Sequence, residues 1–143
     1  MRKTGCPRRR HVSIAAVAAL GFLLSTPRAS AQSAPYLFDL LKRPAFRKSF
    51  DALFANERNV DEWIGVFQRT DNGVCGPSKR LQAGDTIYIA ADVCKPHDCA
   101  ANHLQVLFSD NGSKAAALLR SPRGLRWFGM PGPQDRALLE QLQ

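Results

Sequence analysis

The chain has 143 residues, which is enough for one domain and leaves little room for a second. Its 20 basic and 12 acidic residues give a formal net charge of +8, a value that would suit a protein binding nucleic acid or a membrane surface. The positions of the charges argue against both functions, because six basic residues and no acidic ones lie in residues 1–31.

These first residues have the composition of a secretory signal peptide. A basic segment over residues 1–10 precedes an apolar run from Val12 to Leu24, and the small-residue sequence Ala29-Ser30-Ala31 follows. A run of about 13 residues is too short to span a bilayer comfortably. We therefore predict a signal peptide over residues 1–31 with cleavage after Ala31, and Ala34 is a second candidate.

Removing residues 1–31 changes what the charge implies. Residues 32–143 carry 14 basic and 12 acidic residues, a net charge of +2, and have no basic run with interleaved aromatic residues. We therefore predict one exported domain over residues 32–143, without a nucleic-acid or membrane partner.

The exported part begins with helical patterns. Tyr36 to Leu41 predicts a short helical turn. Pro44 suits the first position of a helix, and an apolar stripe at helical spacing follows it, so we predict a helix over residues 44–56. Val60 to Phe67 fits a helix or a strand equally well.

From Thr86 onward the apolar period changes to two, which is typical of strands. Residues 86–93 alternate in this way and predict a half-buried strand, and residues 104–108 repeat the pattern. Asp110-Asn111-Gly112 predicts a tight hairpin turn, because Asn-Gly tolerates the positive φ that such turns require.

Two further strands and a helix complete the predicted fold. Residues 114–120 and 125–129 are the strands, and Pro133 opens a helix whose Ala137, Leu138 and Leu142 would face the sheet. The sequence predicts an α+β fold, an antiparallel meander of three or four strands flanked by N-terminal and C-terminal helices.

The side chains with useful chemistry are concentrated in one segment, Cys94-Lys95-Pro96-His97-Asp98-Cys99, between two predicted strands. Five residues can extend about 17 Å, whereas the Cα atoms of a disulfide lie about 4.4–6.8 Å apart. A Cys94–Cys99 bond would therefore make the chain double back and place His97 near the apex. Such a loop is preorganised and loses little entropy on binding.

Other interpretations of this segment stay open. A bond could simply pin the end of the hairpin, with His97 an ordinary exposed residue. Metal binding by the two thiols, His97 and Asp98 is disfavoured, because a compact loop presents these groups poorly and no second ligand pair exists. Thiol redox chemistry is disfavoured, because the spacing is not C-x-x-C.

Little in the sequence suggests catalysis. His97 and His103 are the only histidines of the exported part, and we find neither a G-x-S-x-G elbow nor a phosphate-binding loop. We predict that the protein is not an enzyme and needs no metal or other cofactor. Cys75 makes the cysteine number odd, so it is a buried thiol, a free thiol or a link between two chains.

The segment from Cys94 to Cys99 resembles the signature loop of the Ivy family, the inhibitors of vertebrate lysozyme, which are periplasmic proteins of Gram-negative bacteria. The export signal, the Tyr-containing strand before the loop and the apolar strand after it are similar as well. The resemblance extends from about Tyr36 to Leu142.

This resemblance implies that a disulfide-closed loop protrudes and enters the active-site cleft of C-type lysozyme. Cys94 and Cys99 would close the ring, and Pro96 would shape it. His97 would lie between the glutamic acid and aspartate of the lysozyme, and Lys95 and Asp98 would contact the cleft rim or brace the loop. No bond is made or broken in such an inhibitor.

Two other functions remain alternatives. The protein could regulate the cell's own lytic transglycosylases, which use a similar cleft, or it could be a periplasmic structural or envelope-binding module in which the ring is only a staple. The family includes dimers, so a homodimer also stays open.

Overall fold

The computed structural model describes residues 33–142, so the predicted signal peptide lies outside the described residues. The five strands of this range form one antiparallel sheet in the order β1-β2-β3-β4-β5, so each strand pairs with its neighbour along the chain. This confirms the predicted α+β meander with flanking helices. The elements in chain order are α1 (Leu37–Leu40), α2 (Pro44–Ala52), α3 (Glu62–Thr70), β1 (Lys79–Ala83), β2 (Thr86–Cys94), β3 (His103–Ser109), β4 (Ala115–Ser121), β5 (Gly124–Phe128) and α4 (Pro133–Gln141).

Strand β1 is the element that the sequence patterns missed. It pairs with β2 alone, for example Arg80 opposite Ile89, and therefore forms one edge of the sheet. Its sequence is mostly polar, and Leu81 is the residue that packs against an apolar cluster. Charged residues on an edge strand discourage pairing with other chains, which explains why no apolar alternation marks this strand.

Apolar clusters cover both faces of the sheet. The larger one lies between the sheet and helices α1 to α3, where Phe46, Phe50 and Phe67 are fully buried. The smaller one lies beneath α4, where Leu139 is fully buried. Strand β2, predicted to be half-buried, is therefore covered on both faces, and Ala90 in the smaller cluster shows this.

Helix α4 presents a different side chain to the sheet from the one predicted. Leu138 and Leu142 pack against the smaller cluster as expected, but Ala137 is exposed and Leu139 is the buried residue. An α-helix turns about 100° per residue, so Ala137 lies about 200° from Leu139 and faces solvent.

The N-terminal helices differ from the prediction in their limits. The predicted turn at 36–41 is helix α1, and the ambiguous segment 60–67 is helical as part of α3. Helix α2 ends at Ala52 rather than at residue 56, because the next two amide groups bond three residues back: Leu53 to Phe50 and Phe54 to Asp51. Leu53 and Phe54 stay in the larger cluster.

The β3–β4 connection is a hairpin, but it is longer than the tight turn predicted from Asn111-Gly112. Gly112 N–H donates to Ser109 O at 2.8 Å, and Ser109 N–H donates to Lys114 O at 3.0 Å. Gly112 has a φ of +74°, whereas Asn111 is not among the residues with positive φ. A β-carbon on Gly112 would overlap the ring of Phe46.

Replacing Gly112 with alanine should lower the free energy of unfolding by about 3 kcal/mol, because the left-handed conformation and the overlap with Phe46 both oppose it. Gly84 is a matched control, since its φ is +58° and nothing lies within 4 Å of the position that a β-carbon would take there. Gly84→Ala should cost about 1 kcal/mol. Urea unfolding of both variants measures the difference, and equal losses would contradict a role for Phe46.

Cys75 lies between α3 and β1 and packs against the larger cluster. It is not disulfide-bonded within the described chain and is half-buried. Burial raises the pKa of its thiol to about 11 from an ordinary value of 9.0, and the nearby carboxylate of Asp92 adds to the rise. Since the thiolate is the reactive form, the fold keeps Cys75 unreactive near neutral pH.

At pH 8 we expect native Cys75 to react with iodoacetamide about a hundredfold more slowly than in the urea-unfolded, disulfide-intact protein, because a pKa two units higher leaves about one hundredth of the thiolate. Mass spectrometry of the alkylated peptides measures both rates. Similar rates in the two states would show that the fold does not protect this thiol.

Candidate functional site

The segment Cys94 to Cys99 lies where β2 ends and the chain turns towards β3. Cys94 is the last residue of β2 and pairs with His103, the first residue of β3. On its other side Cys94 forms an isolated bridge with Val74: Cys94 N–H donates to Val74 O at 2.8 Å, and Val74 N–H donates to Cys94 O at 3.1 Å. Towards β3 the next residue, Lys95, donates its N–H to Asn102 O at 3.1 Å, so backbone hydrogen bonds hold the base of the loop from both sides.

A disulfide bond joins Cys94 to Cys99, as the family resemblance implied. The two Cα atoms are 4.9 Å apart, so the chain doubles back between them. Cys94 is buried at the base, whereas Cys99 is exposed. The bond consumes both thiols and so overturns the alternative in which they bind a metal with His97 and Asp98.

The ring contains one tight turn. Asp98 N–H donates to Lys95 O at 3.0 Å, which makes Pro96 and His97 the two central residues of a β-turn. Pro96 occupies the position where a proline suits the backbone, and His97 has a φ of +63°. Positive φ at the third position is the mark of a type II turn, which usually has Gly or Asn there.

His97 is exposed at the apex of this turn. Among residues 33–142 no hydrogen bond or ion pair engages its imidazole ring, so its nitrogen atoms are free to meet a partner. Histidine is one of the few residues enriched in the left-handed region, but the conformation still costs about 1 kcal/mol. Strained backbone of this kind is concentrated at functional sites.

Polar contacts inside the loop brace it. Asp98 Oδ2 accepts a hydrogen bond from Asn102 Nδ2 at 2.7 Å, and Lys95 Nζ lies 3.4 Å from the same oxygen. Lys95 and Asp98 were expected either to contact a partner or to brace the loop, and in the free protein their side chains make bracing contacts. Asn102 lies outside the cysteine ring and was not predicted from the sequence, although its position just before a strand was the available signal.

One flank of the loop borders a groove of about 460 Å³. Lys95, Pro96 and Asn102 form one wall, and Trp63 and Val66 of α3 form part of the other. One side of the loop therefore lines a groove, whereas its apex is exposed to solvent.

The second histidine has a different environment. His103 Nε2–H donates to Asp92 Oδ2 at 3.1 Å, and this hydrogen bond lowers the pKa of the Asp92 carboxyl group. Both residues are partly buried on the sheet. His103 is thus a sheet-face residue that is hydrogen-bonded to Asp92.

Two other kinds of site are missing from the described part of the chain. Residues 33–142 contain no group of three or more His, Cys, Asp or Glu side chains that could hold a metal ion. In the same range no helix combines the length and the apolar character needed to cross a membrane.

Comparison with known proteins places the chain in a family. It is 33% identical over 137 residues to the inhibitor of vertebrate lysozyme of Pseudomonas aeruginosa, a match that covers 86% of this chain and 87% of the relative. It is also 28% identical over 121 residues to an uncharacterized protein of Yersinia pestis, with 75% of each chain covered. No protein-family model matches. The named relative is an inhibitor and not an enzyme, in agreement with the prediction that this protein is non-catalytic. The extent of the first match shows that the chain belongs to the family of inhibitors of vertebrate lysozyme, the Ivy family.

Proposed function

We propose that this protein is exported to the periplasm and inhibits C-type lysozyme by inserting the Cys94–Cys99 loop into the active-site cleft. The observation that carries the proposal is an exposed His97, whose ring has no hydrogen-bond partner among residues 33–142, at the apex of a disulfide-closed loop in a member of a lysozyme-inhibitor family. His97 would lie between the two catalytic carboxyl groups and block entry of the sugar chain.

The chemistry of the imidazole suits this position. Retaining hydrolysis of a glycoside by lysozyme needs one protonated and one ionised carboxyl group. A neutral imidazole has one donor and one acceptor nitrogen, so it can accept a hydrogen bond from the acid and donate one to the carboxylate. The inhibitor then matches the resting protonation state of the enzyme, and no covalent step is needed.

The charges of the loop favour burial in a cleft. Lys95 and Asp98 are the ionisable neighbours of His97 within the ring, and their side chains lie close enough to offset one another. Burying an unpaired lysine or aspartate in the cleft of a partner would cost desolvation free energy. A loop in which Lys95 and Asp98 pair with each other avoids that cost. The predicted net charge of +2 for residues 32–143 offers little long-range attraction, so affinity rests on local fit.

The rigidity of the loop contributes to binding as well. The disulfide, the turn and the bridge to Val74 hold the loop before it meets its partner. Preorganisation reduces the conformational entropy lost on association, and the gain appears as affinity. Such a disulfide persists in an oxidising compartment, and the predicted signal peptide would direct the chain to one.

The first test replaces His97 with asparagine, which tolerates the left-handed conformation but lacks the imidazole. We expect the variant to fold normally and to inhibit lysis of bacterial cell walls by a C-type lysozyme at least about 30-fold more weakly, the loss typical of a central interface residue. The measurement compares the inhibition constants of the oxidised protein, residues 32–143, and its variant.

Lys114→Asn is the matched control, because Lys114 is exposed at the opposite end of the sheet and should leave inhibition unchanged. A folded, oxidised wild-type protein without effect on C-type lysozyme would overturn the proposal and redirect the search to lytic transglycosylases or to an envelope-binding role. Equal inhibition by His97→Asn and wild type would overturn the role of His97 alone.

The second test opens the ring. The double variant Cys94→Ser, Cys99→Ser should lose about 2 kcal/mol of unfolding free energy, the chain-entropy value for a six-residue ring. It should also inhibit about tenfold more weakly or worse, because a loose loop must be ordered on binding. Cys75→Ser is the cysteine control and should inhibit like wild type; undiminished inhibition by the ring-open variant would show that closure does not matter.

A further inference from the structure

We propose that Asn102 is a positioning residue for His97, although it lies outside the disulfide ring and five residues along the chain. The effect of Asn102 on inhibition depends on the proposed function, whereas its effect on the loop does not. The two effects can therefore be measured separately.

The disulfide by itself does not determine the conformation of His97. It joins Cys94 to Cys99 and leaves the four residues between them to form a turn. At the third position of a β-turn a non-glycine residue ordinarily prefers negative φ, as in a type I turn, yet His97 has a φ of +63°. A change to the ordinary turn would rotate the peptide groups on either side of His97 and redirect its side chain. Some contact beyond the disulfide must therefore favour the observed turn.

Asn102 supplies three such contacts. Its side-chain Nδ2 donates to Asp98 Oδ2 at 2.7 Å, and its backbone N–H donates to Asp98 O at 3.0 Å. Its backbone carbonyl accepts a hydrogen bond from Lys95 N–H at 3.1 Å. Asn102 thus holds Lys95 and Asp98, which are the first and last residues of the turn that contains His97.

Asn102 is itself well anchored. It is only 8% exposed, and the next residue, His103, is the start of β3 and pairs with Cys94 of β2. The hydrogen bonds of Asn102 therefore fix Asp98 relative to the sheet, and Asp98 directly follows His97 in the chain. Lys95 Nζ lies 3.4 Å from the same carboxylate, but both of these side chains are more than a third exposed, and pairs of that kind contribute little.

The side-chain amide of Asn102 has a specific chemical role. It donates to a carboxylate at short distance, and hydrogen bonds to charged groups are stronger than neutral ones. The isosteric change Asn102→Asp replaces this donor with a second carboxylate facing Asp98, so attraction becomes repulsion. If the competent turn then falls to about one tenth of the population, the inhibition constant rises about tenfold.

The test uses the full exported chain in three forms: wild type, Asn102→Asp, and the exchanged double variant Asp98→Asn with Asn102→Asp. In the exchanged variant the new amide at position 98 can donate to the new carboxylate at position 102, which restores one hydrogen bond with the same net charge as wild type. NMR gives the HN–Hα coupling of His97, which reports its φ. Lysozyme inhibition is measured in parallel.

We expect Asn102→Asp to change the His97 coupling and to weaken inhibition about tenfold, while the disulfide and the unfolding transition persist. The exchanged variant should recover most of each effect, which a general loss of packing would not allow. Asn111→Asp is the matched control, since Asn111 is exposed in the β3–β4 hairpin at the other end of the sheet.

Each outcome separates the two proposals. An unchanged His97 coupling in Asn102→Asp would overturn the positioning role. Altered NMR readouts without rescue in the exchanged variant would also overturn it, because the side-chain hydrogen bond would then not be the cause. Altered and rescued NMR readouts in a protein whose wild type does not inhibit lysozyme would keep the positioning role and overturn the proposed function.

Discussion

The pairing of β2 with β3 is the interaction on which the candidate site depends. Its last pair, Cys94 with His103, is where the two strands separate, and everything between these residues is loop. The bridge from Cys94 to Val74 strengthens the same point from the other side. The ends of the loop are fixed to the sheet by backbone hydrogen bonds. The loop is therefore more rigid than a loop with unbonded ends would be.

Beyond this base, several successive contacts restrict the conformation of the loop. The disulfide brings Cys99 back to Cys94, and the turn from Lys95 to Asp98 uses the stiffness of Pro96. Asp98 is then tied to Asn102, next to the sheet. Within residues 33–142 the imidazole of His97 at the apex has no hydrogen-bond partner. A partner that bound there would meet a loop already ordered by folding, so little conformational entropy would be lost on binding.

The arrangement of the core explains why the candidate site lies at the end of the sheet. Helices α1 to α3 cover one face, and α4 covers part of the other, so the sheet surfaces are occupied by packing. The positions left free are the uncovered part of that second face, the edge strands β1 and β5, and the connections between strands. The β2–β3 connection can therefore vary in sequence and project outward without disturbing Phe46, Phe50 or the other residues of the larger cluster.

Much of this architecture is local information and could be predicted from the sequence. Alternating apolar residues specify the strands β2 and β3, turn residues mark the hairpins, and Pro133 marks the start of α4. The loop was recognisable because two cysteines five residues apart, with Pro96 and His97 between them, form an unusual short motif. The family resemblance, and not the spacing, supplied the disulfide and the expected role of His97.

The features that the sequence did not reveal are those set by contacts between distant segments. Strand β1 has no apolar period of its own and exists because β2 offers it a pairing edge. Whether residues 60–67 are helix or strand, and whether Ala137 or Leu139 faces the sheet, depends on which surface the segment meets. Two features of the loop arise only when it is closed against the end of the sheet. They are the left-handed φ of His97 and the hydrogen bond from Asn102 to Asp98. The sequence by itself determined which residues could form a small antiparallel meander with a histidine-bearing ring. Tertiary structure decided how that ring is held, because a hydrogen-bond partner is chosen by position in space and not by distance along the chain.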